Sequence, residues 1–309
     1  MDVLWKTISI FLALNLINKK VIISIEKMKL KYIDNILKNL NEKRRILGYR
    51  LLFLFYFEVL FRIVLSRVLK KKVKIFTGKC FFLKRGDIGL SVDLYIRKIR
   101  EPVSMKKILK ILEASKSKKK IFLDVGANIG YYSVCLSPFF NKVIAIEPDR
   151  GNIQILRKNI RKLKNVKIIE GAVSYSSKPL FLVRKLEKNL SFTSENKGEE
   201  MILNVFAFDD FLKKFKPFLV KMDIEGFEYK IFKFSQMPFR PKYMFIEIHF
   251  PYLTPYQSIE LLNKLKRKGY VIKYVIDDEK SLFSFRESRI IAENITINNF
   301  IKNYKKMDI

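Results

Sequence analysis

Ile121-Phe-Leu-Asp124-Val-Gly126-Ala-Asn128-Ile-Gly130-Tyr-Tyr-Ser133 (IFLDVGANIGYYS) reads as a short apolar strand, a glycine-bearing turn and the start of a helix. Asp124 stands near the end of the apolar run Ile121–Val125. Gly126 and Gly130 let the backbone turn sharply and approach a ligand closely. The helix expected from Tyr131 to Leu136 offers free N–H groups at its start. Counted from Gly126, the second and third glycines of a G-x-G-x-x-G pattern fall on Asn128 and Tyr131. The stretch is therefore not the pyrophosphate-binding fingerprint of a nicotinamide dinucleotide. A ligand without phosphates fits it better, and Asp124 is placed to accept from a cationic amino group, directly or through water.

Downstream the chain alternates strand and helix. Strands are expected at Lys142–Ile146, Val166–Ile169, Phe218–Met222, Tyr243–Ile248 and Tyr270–Val275. Helices are expected at Arg150–Leu163, Phe208–Phe215, Phe227–Phe234 and Ser258–Lys268. Repeated β-α-β units with continuous apolar strands imply an α/β fold: a mostly parallel sheet with helices on both faces. Leu180–Val183 and Met201–Phe206 read as a hairpin or an edge, and Arg289–Ile291 as a short run closing the sheet. Ligands of such sheets bind at the carboxyl ends of the strands. Four of those ends carry polar residues: Asp124, Glu147, Asp223 with Glu225, and Glu247 with His249. Glu147 follows Gly130 by seventeen residues and can accept from both hydroxyls of a ribose. Pro148 halts the strand so that this carboxylate stands at the rim.

Upstream, the runs Lys72–Phe76, Cys80–Lys84 and Gly89–Ile96 alternate as a small antiparallel sheet or hairpin, ended by Glu101-Pro102. Val103–Ala114 has helical periodicity. Thr7–Ile17 is too short to span a bilayer, which takes about 20 apolar residues. Leu51–Leu69 is long enough but holds Glu58, Arg62 and Arg67, so it reads as an amphipathic helix with a broad basic side. Such a helix packs within the protein or a homo-oligomer, or lies on an anionic membrane surface. Residues 1–70 thus form a basic helical N-terminal segment, and residues 71–309 a second domain with its core at 120–295.

The net charge of +32 favours an anionic partner. Residues 1–120 carry 30 Lys+Arg against 9 Asp+Glu, and residues 121–309 carry 32 against 21. Membrane contact is accordingly expected through residues 1–120. Cys80 and Cys135 form no CxxC, which excludes a structural zinc site and a disulfide framework. The expected location is cytoplasmic, peripheral at the membrane if the basic segment binds there.

Several stretches together resemble the FkbM-type methyltransferases, a branch of the class I S-adenosylmethionine enzymes. They are Glu101-Pro102, DVGANIGYYS (124–133), IEPD (146–149), DDFL (209–212), VKMDIEGFE (220–228) and IEIH (246–249), in the family's order. The resemblance covers about residues 95–250. Phe208 stands where the family more often has Leu, an apolar exchange. The resemblance implies a Rossmann-like class I methyltransferase fold, binding of S-adenosylmethionine by the Gly126–Gly130 loop with Ala127 and Asn128, and by Glu147 and Pro148, and methyl transfer, usually to an oxygen. It implies a sugar, polysaccharide, lipid or natural product as acceptor.

Such a transfer requires alignment of the acceptor and removal of its proton. His249, the chain's one histidine, is the first choice as general base, and Asp223 the second, with Glu225 beside it. Asp223, Glu225, Glu247 and His249 are also an oxygen-rich set that would suit Mg²⁺ or Mn²⁺. Lys221 lies two residues before Asp223 on the same strand face and can neutralise a carboxylate there. The alternatives are an RNA methyltransferase using the basic surface, and a membrane-associated module without catalysis. Against the RNA reading, the chain has no Asn-Pro-Pro-aromatic tetrapeptide and no RNA-binding signature.

Overall fold

In a computed structural model, residues 57, 59–184, 191–194, 200–202, 204–249, 255–277 and 287–294 are described. The expectations for Thr7–Ile17, residues 51–56 and Glu58 lie outside them. The chain divides into two units, 1–69 and 70–309. Within the first, residues 59–68 form a helix, α1, as the periodicity predicts. Ile63 is buried while Phe61 is exposed, so apolar side chains lie on more than one side of it. No described helix is long and apolar enough to cross a membrane.

The second unit begins with an antiparallel hairpin, β1 (Lys72–Lys74) and β2 (Cys80–Phe82). Gly89–Ile96, expected as a third strand, is instead the helix α2 (Leu90–Arg97). Asp87 decides this. Its carboxylate accepts the Gly89 and Ser91 N–H groups, each at 2.8 Å, and so satisfies donors that a helix start leaves free. Alternation would bury Ile96 beside Val92 and Leu94; on the helix it turns away and is 48% exposed. Pro102 then opens α3 (Pro102–Glu113), where its missing N–H costs nothing.

The large sheet has seven strands. β3 (Ile121–Val125) lies in the middle of its five parallel strands. On one side follow β4 (Lys142–Glu147) and β5 (Val166–Glu170), on the other β11 (Leu219–Met222) and β12 (Tyr243–His249), all parallel. Parallel strands need crossovers. These are α4 (Tyr131–Leu136), α5 (Arg150–Ile160), α6 (Phe208–Phe215) and α7 (Glu228–Phe234). A final helix, α8 (Pro255–Arg267), leads into β13 (Tyr270–Asp277). The last strand, β14 (Glu287–Asn294), does not cap the sheet but enters between β12 and β13, antiparallel to both.

Two smaller sheets interrupt the alternation. β7 (Leu180–Arg184) pairs antiparallel with β8 (Ser191–Ser194) and β9 (Glu200–Ile202). β6 (Ala172–Ser174) pairs parallel with β10 (Val205–Ala207). The expected run Met201–Phe206 is therefore split between two sheets, because Asn204 leaves β9 and its carbonyl accepts the Ala172 N–H at 2.9 Å.

The core lies between the strands and their helices, with Phe122, Leu123, Ile144, Leu156, Phe208, Val220, Phe232 and Met244 fully enclosed. Burying each such side chain stabilises the fold by about 1.5–3 kcal/mol. The strand order reverses between β3 and β11, and a crevice opens at their carboxyl ends. Gly130 shows how tightly the neighbouring helices close: φ is +90°, and a Cβ there would lie 2.4 Å from Leu156 Cδ1. Gly130→Ala should therefore destabilise the fold by about 1–3 kcal/mol. Urea denaturation would check this; an unchanged midpoint would show that α5 can shift to accept the methyl.

Candidate active site

The turn after β3 is bound to β4 before any ligand is considered. The Gly126 and Ala127 N–H groups both donate to the Ile146 carbonyl, at 3.1 and 2.9 Å. Gly126 has φ +76°, and a Cβ on it would fall 1.9 Å from the Asp223 carbonyl oxygen. The glycine is required by contact between two strand ends as well as by the turn. Asn128 also takes a left-handed conformation, φ +53°, one that asparagine tolerates. Its N–H donates to Glu147 Oε2 at 2.8 Å.

Glu147 ends β4 almost wholly buried. Its Oε1 accepts the Asp149 N–H at 3.0 Å and Asn152 Nδ2 at 3.1 Å. Burial pushes its carboxyl up to about 7, against the hydrogen bonds from Asp149, Asn128 and Asn152, which favour the charged form. Asp149 also caps α5, accepting the Asn152 N–H at 2.9 Å.

Asp124 is enclosed rather than presented. Its Oδ2 accepts from Ser133 Oγ at 2.6 Å, and Oδ1 has no hydrogen-bond partner. The cation beside Oδ1 belongs to the chain itself: Lys221 Nζ, 3.8 Å away. That ammonium also donates to the Gly126 carbonyl at 2.9 Å and to Asp223 Oδ2 at 3.0 Å, and lies 5.5 Å from the centre of the Tyr132 ring. Burial raises the Asp124 carboxyl, opposed by Lys221 and Ser133. Burial alone would lower the Lys221 ammonium, but Asp223 and Asp124 hold its pKa above the ordinary value.

Beyond β11 the chain turns through Asp223–Gly226, with φ +58° at Glu225 and +103° at Gly226. Glu228 holds this turn, accepting the Ile224 and Gly226 N–H groups at 2.9 and 2.8 Å. Sequence reasoning assigned Glu228 no part. Its signal was an acid in the first turn of a helix, where free N–H groups need an acceptor. A further wall, also missed, comes from the segment before β3. Arg100 Nε donates to Glu101 Oε1 at 3.1 Å, and Arg100 also pairs with Asp93. The Tyr132 hydroxyl donates to Glu101, and Tyr131 Oη bonds the Arg100 N–H and carbonyl, both at 3.0 Å. Burial disfavours the Arg100 charge, but Glu101, Asp93 and Glu247 hold its pKa well above the ordinary value.

These elements enclose a cavity of about 260 Å³ at the carboxyl ends of β3, β4, β11 and β12. It is near the lower end of the about 300–1,000 Å³ typical of small-molecule sites. Of the residues singled out in the sequence, Gly126, Ala127, Asn128, Glu147, Pro148, Asp223, Glu225 and Glu247 line it. Asp124 and Gly130 stand behind the wall. His249 closes β12, opposite Glu287 in β14, and its side chain lies outside the described residues. Among the described residues no three metal-ligating side chains gather as a metal site. The charged lining is Glu101, Glu147, Asp223, Glu225 and Glu247 against Arg100 and Lys221. An excess of carboxylates in a chain of net +32 suits a cationic ligand, and Glu147 at the rim suits a pair of hydroxyl donors.

Residues 124–272 match the family described as Methyltransferase FkbM domain. Comparison with curated proteins finds no match. Among solved structures, the chain is similar to precorrin-6y C5,15-methyltransferase from Geobacter metallireducens. Identity is 14% and the TM-score 0.38, over 63% of this chain and 90% of that one. It is similar to M. jannaschii TYW2 in complex with AdoMet at 18% identity and TM-score 0.38, over 74% and 88%. It is also similar to Aeropyrum pernix fibrillarin with natively bound S-adenosyl-L-methionine at 14% identity and TM-score 0.37, over 60% and 74%.

Lys221→Met leaves Asp124 and Asp223 without their cation. The expected cost is about 3 kcal/mol of stability, since a charge stranded in a dry site is penalised heavily. Chemical denaturation at neutral pH measures it. Adding Asp124→Asn should restore part of the loss, and a double variant no more stable than the single one would contradict this account.

Proposed function

We infer from the membership of residues 124–272 in the FkbM methyltransferase family, and from the cavity they build, that this S-adenosylmethionine-dependent methyltransferase acts on a hydroxyl. The acceptor class is a sugar, glycan, glycolipid or other small molecule. The observation that carries this reading is the charge of the cavity. Its carboxylates outnumber its cations in a protein whose surface is strongly basic. A cationic cofactor and a neutral polyol acceptor suit such a lining, whereas a phosphate backbone would be repelled from it.

Bound here, S-adenosylmethionine supplies a methyl group on a positively charged sulfur, open to in-line displacement by an oxygen. In this reading Glu147 accepts the ribose hydroxyls, held in place by Asn128, Asp149 and Asn152. The Gly126–Asn128 turn lines the cavity, where its glycine permits close backbone approach. Asp124 acts at one remove, by fixing Lys221. Asp223, ion-paired with Lys221 at the cavity wall, orients the acceptor hydroxyl and takes its proton. Glu225 and Glu247 complete the negative wall on that side. His249, two residues after Glu247, is the second candidate for the proton.

Calorimetry with S-adenosylmethionine should show binding that Glu147→Ala abolishes; absence of binding by the parent chain would overturn the reading. The raised Glu147 carboxyl sets the pH dependence. Hydroxyl donors favour its ionised form, so affinity should fall as pH drops through about 7, with proton release on binding at that pH. Repeating the titration in buffers of different ionisation enthalpy detects that proton, and Glu147→Gln should remove the effect. Without ligand the sign is opposite: between 4.5 and about 7 the folded state holds the proton more tightly, so rising pH removes stability.

Asp223→Asn should lower kcat by about 10²–10⁴. Its Kd for S-adenosylmethionine should stay within about threefold, because the ribose and loop contacts remain. If His249→Asn gives the larger kcat loss instead, the base assignment passes to His249. The acceptor itself would be found by comparing glycan and lipid masses in cells with and without the gene, where one species should lose a methylene for each missing methyl.

A further inference from the structure

The parallel strands β3, β4, β5, β11 and β12, with β13, all begin at one edge of the large sheet. The segments leading into them are 114–120, 137–142, 161–165, 213–218, 235–242 and 264–269. Each contains Lys or Arg, and together they contain not one Asp or Glu. Over residues 121–309 the chain has 21 acids to 32 bases. Acids near this edge are few: Glu293 of β14 stands opposite Tyr243 and Val271, and Asp209 accepts the Gln236 N–H at 2.9 Å. The opposite edge holds the cavity with its excess of carboxylates. The catalytic unit is thus electrically polar from one end of its strands to the other.

Helix ends explain part of this. Cations in the last turns of α6 and α8 offset the negative end of the helix dipole. They do not explain Lys116, Lys118, Lys119, Lys142 and Lys242, which stand past the helix ends in loops or at strand starts. The edge is also held in one shape. Lys120 and Asn141 exchange hydrogen bonds at 2.8 and 2.9 Å. Asn165 Nδ2 donates to the Ser137 and Phe140 carbonyls, both at 2.8 Å, and Arg240 donates to the Lys268 carbonyl at 3.0 Å. The rings at this edge are covered: the Lys120 ammonium is 5.7 Å from the Phe218 ring centre, and that of Lys242 is 5.5 Å from Tyr243.

We propose that this lysine-rich edge is a docking surface for an anionic lipid bilayer. The charge requires a polyanion. A protein partner would be registered by a balanced mixture of signs, whereas the segments here carry many cations and no acid of their own. Single-stranded nucleic acid would be gripped by free aromatic faces, and here the rings lie under lysine stems. A nucleic acid bound at this edge would also be separated from the cavity by the length of the strands, about 16 Å for five residues. A bilayer surface needs neither pattern nor stacking; each cation near it adds independently. With this edge on the bilayer the cavity opens away from it, and the acceptor enters from the aqueous side.

The test is co-sedimentation of the full chain with vesicles of phosphatidylcholine containing about 30 mol% phosphatidylglycerol, at about 50 mM and about 500 mM salt. Two variants of equal charge change are compared. One carries Lys118→Glu, Lys162→Glu, Lys213→Glu and Lys266→Glu at the edge. The other carries Lys72→Glu, Lys74→Glu, Lys106→Glu and Lys178→Glu, outside it. Both should bind S-adenosylmethionine as the parent does, which checks folding. The expected result is salt-reversible binding by the parent and the second variant, and a loss of about tenfold or more in the edge variant. Equal loss in both variants, or undiminished binding by the edge variant, overturns the proposal. So does an edge-dependent affinity for an RNA duplex that exceeds the affinity for vesicles at the same salt.

Discussion

The ammonium of Lys221 is the interaction on which the site depends. It reaches the carbonyl of Gly126 on one side and the carboxylate of Asp223 on the other, with Asp124 behind it. Neither Lys221 nor Asp124 is tolerable alone at this depth. Asp124 is fully enclosed with an oxygen that makes no hydrogen bond; burial raises its carboxyl, and Lys221 and Ser133 oppose that rise. Lys221 persists as a cation because two anions surround it. The glycine turn after β3 and the end of β11 are consequently fixed to one another. Methyl transfer needs that fixity, since donor and acceptor must align to within fractions of an ångström.

Much of this was legible in the residues. Apolar strands interrupted by single terminal acids, at β3, β4, β11 and β12, marked both the sheet and the edge where a ligand would lie. The rule that read them is simple: a charge at the end of an otherwise apolar strand needs a partner, from the protein or from a ligand. What could not be read was whether each acid faced the ligand or the protein. Asp124 and Glu147 look equivalent in sequence, yet one is turned to Lys221 and Ser133 and the other lines the cavity. The direction depends on a lysine ninety-seven residues away in the chain, which no local pattern contains. The Arg100–Glu101 wall escaped for a related reason. Alternation in Gly89–Ile96 mimicked a strand, and Asp87 overrode it by satisfying the free N–H groups of a helix.

Charge is distributed as purposefully as apolarity. A net charge of +32 treated as one number indicates only an anionic partner. Resolved along the strands it becomes two surfaces of opposite sign, and the cavity has the sign that a sulfonium requires. Glu147 adds a refinement. Its burial holds the carboxyl near neutrality, so the empty site is less strongly charged than its residue count implies. The hydrogen bonds of a bound diol would complete its ionisation.

The placement of β14 has one more consequence. The matched family segment, 124–272, begins inside β3 and ends inside β13, and so omits the strand lying between β12 and β13. The unit that is recognisable by homology is therefore not the unit that can close a sheet. During synthesis β13 emerges before β14, the strand it pairs with among the described residues, and its backbone donors wait for residues 287–294. A five-stranded parallel sheet can assemble first, with the turns after β3 and β11 in place, while the remaining edge is completed later by β14.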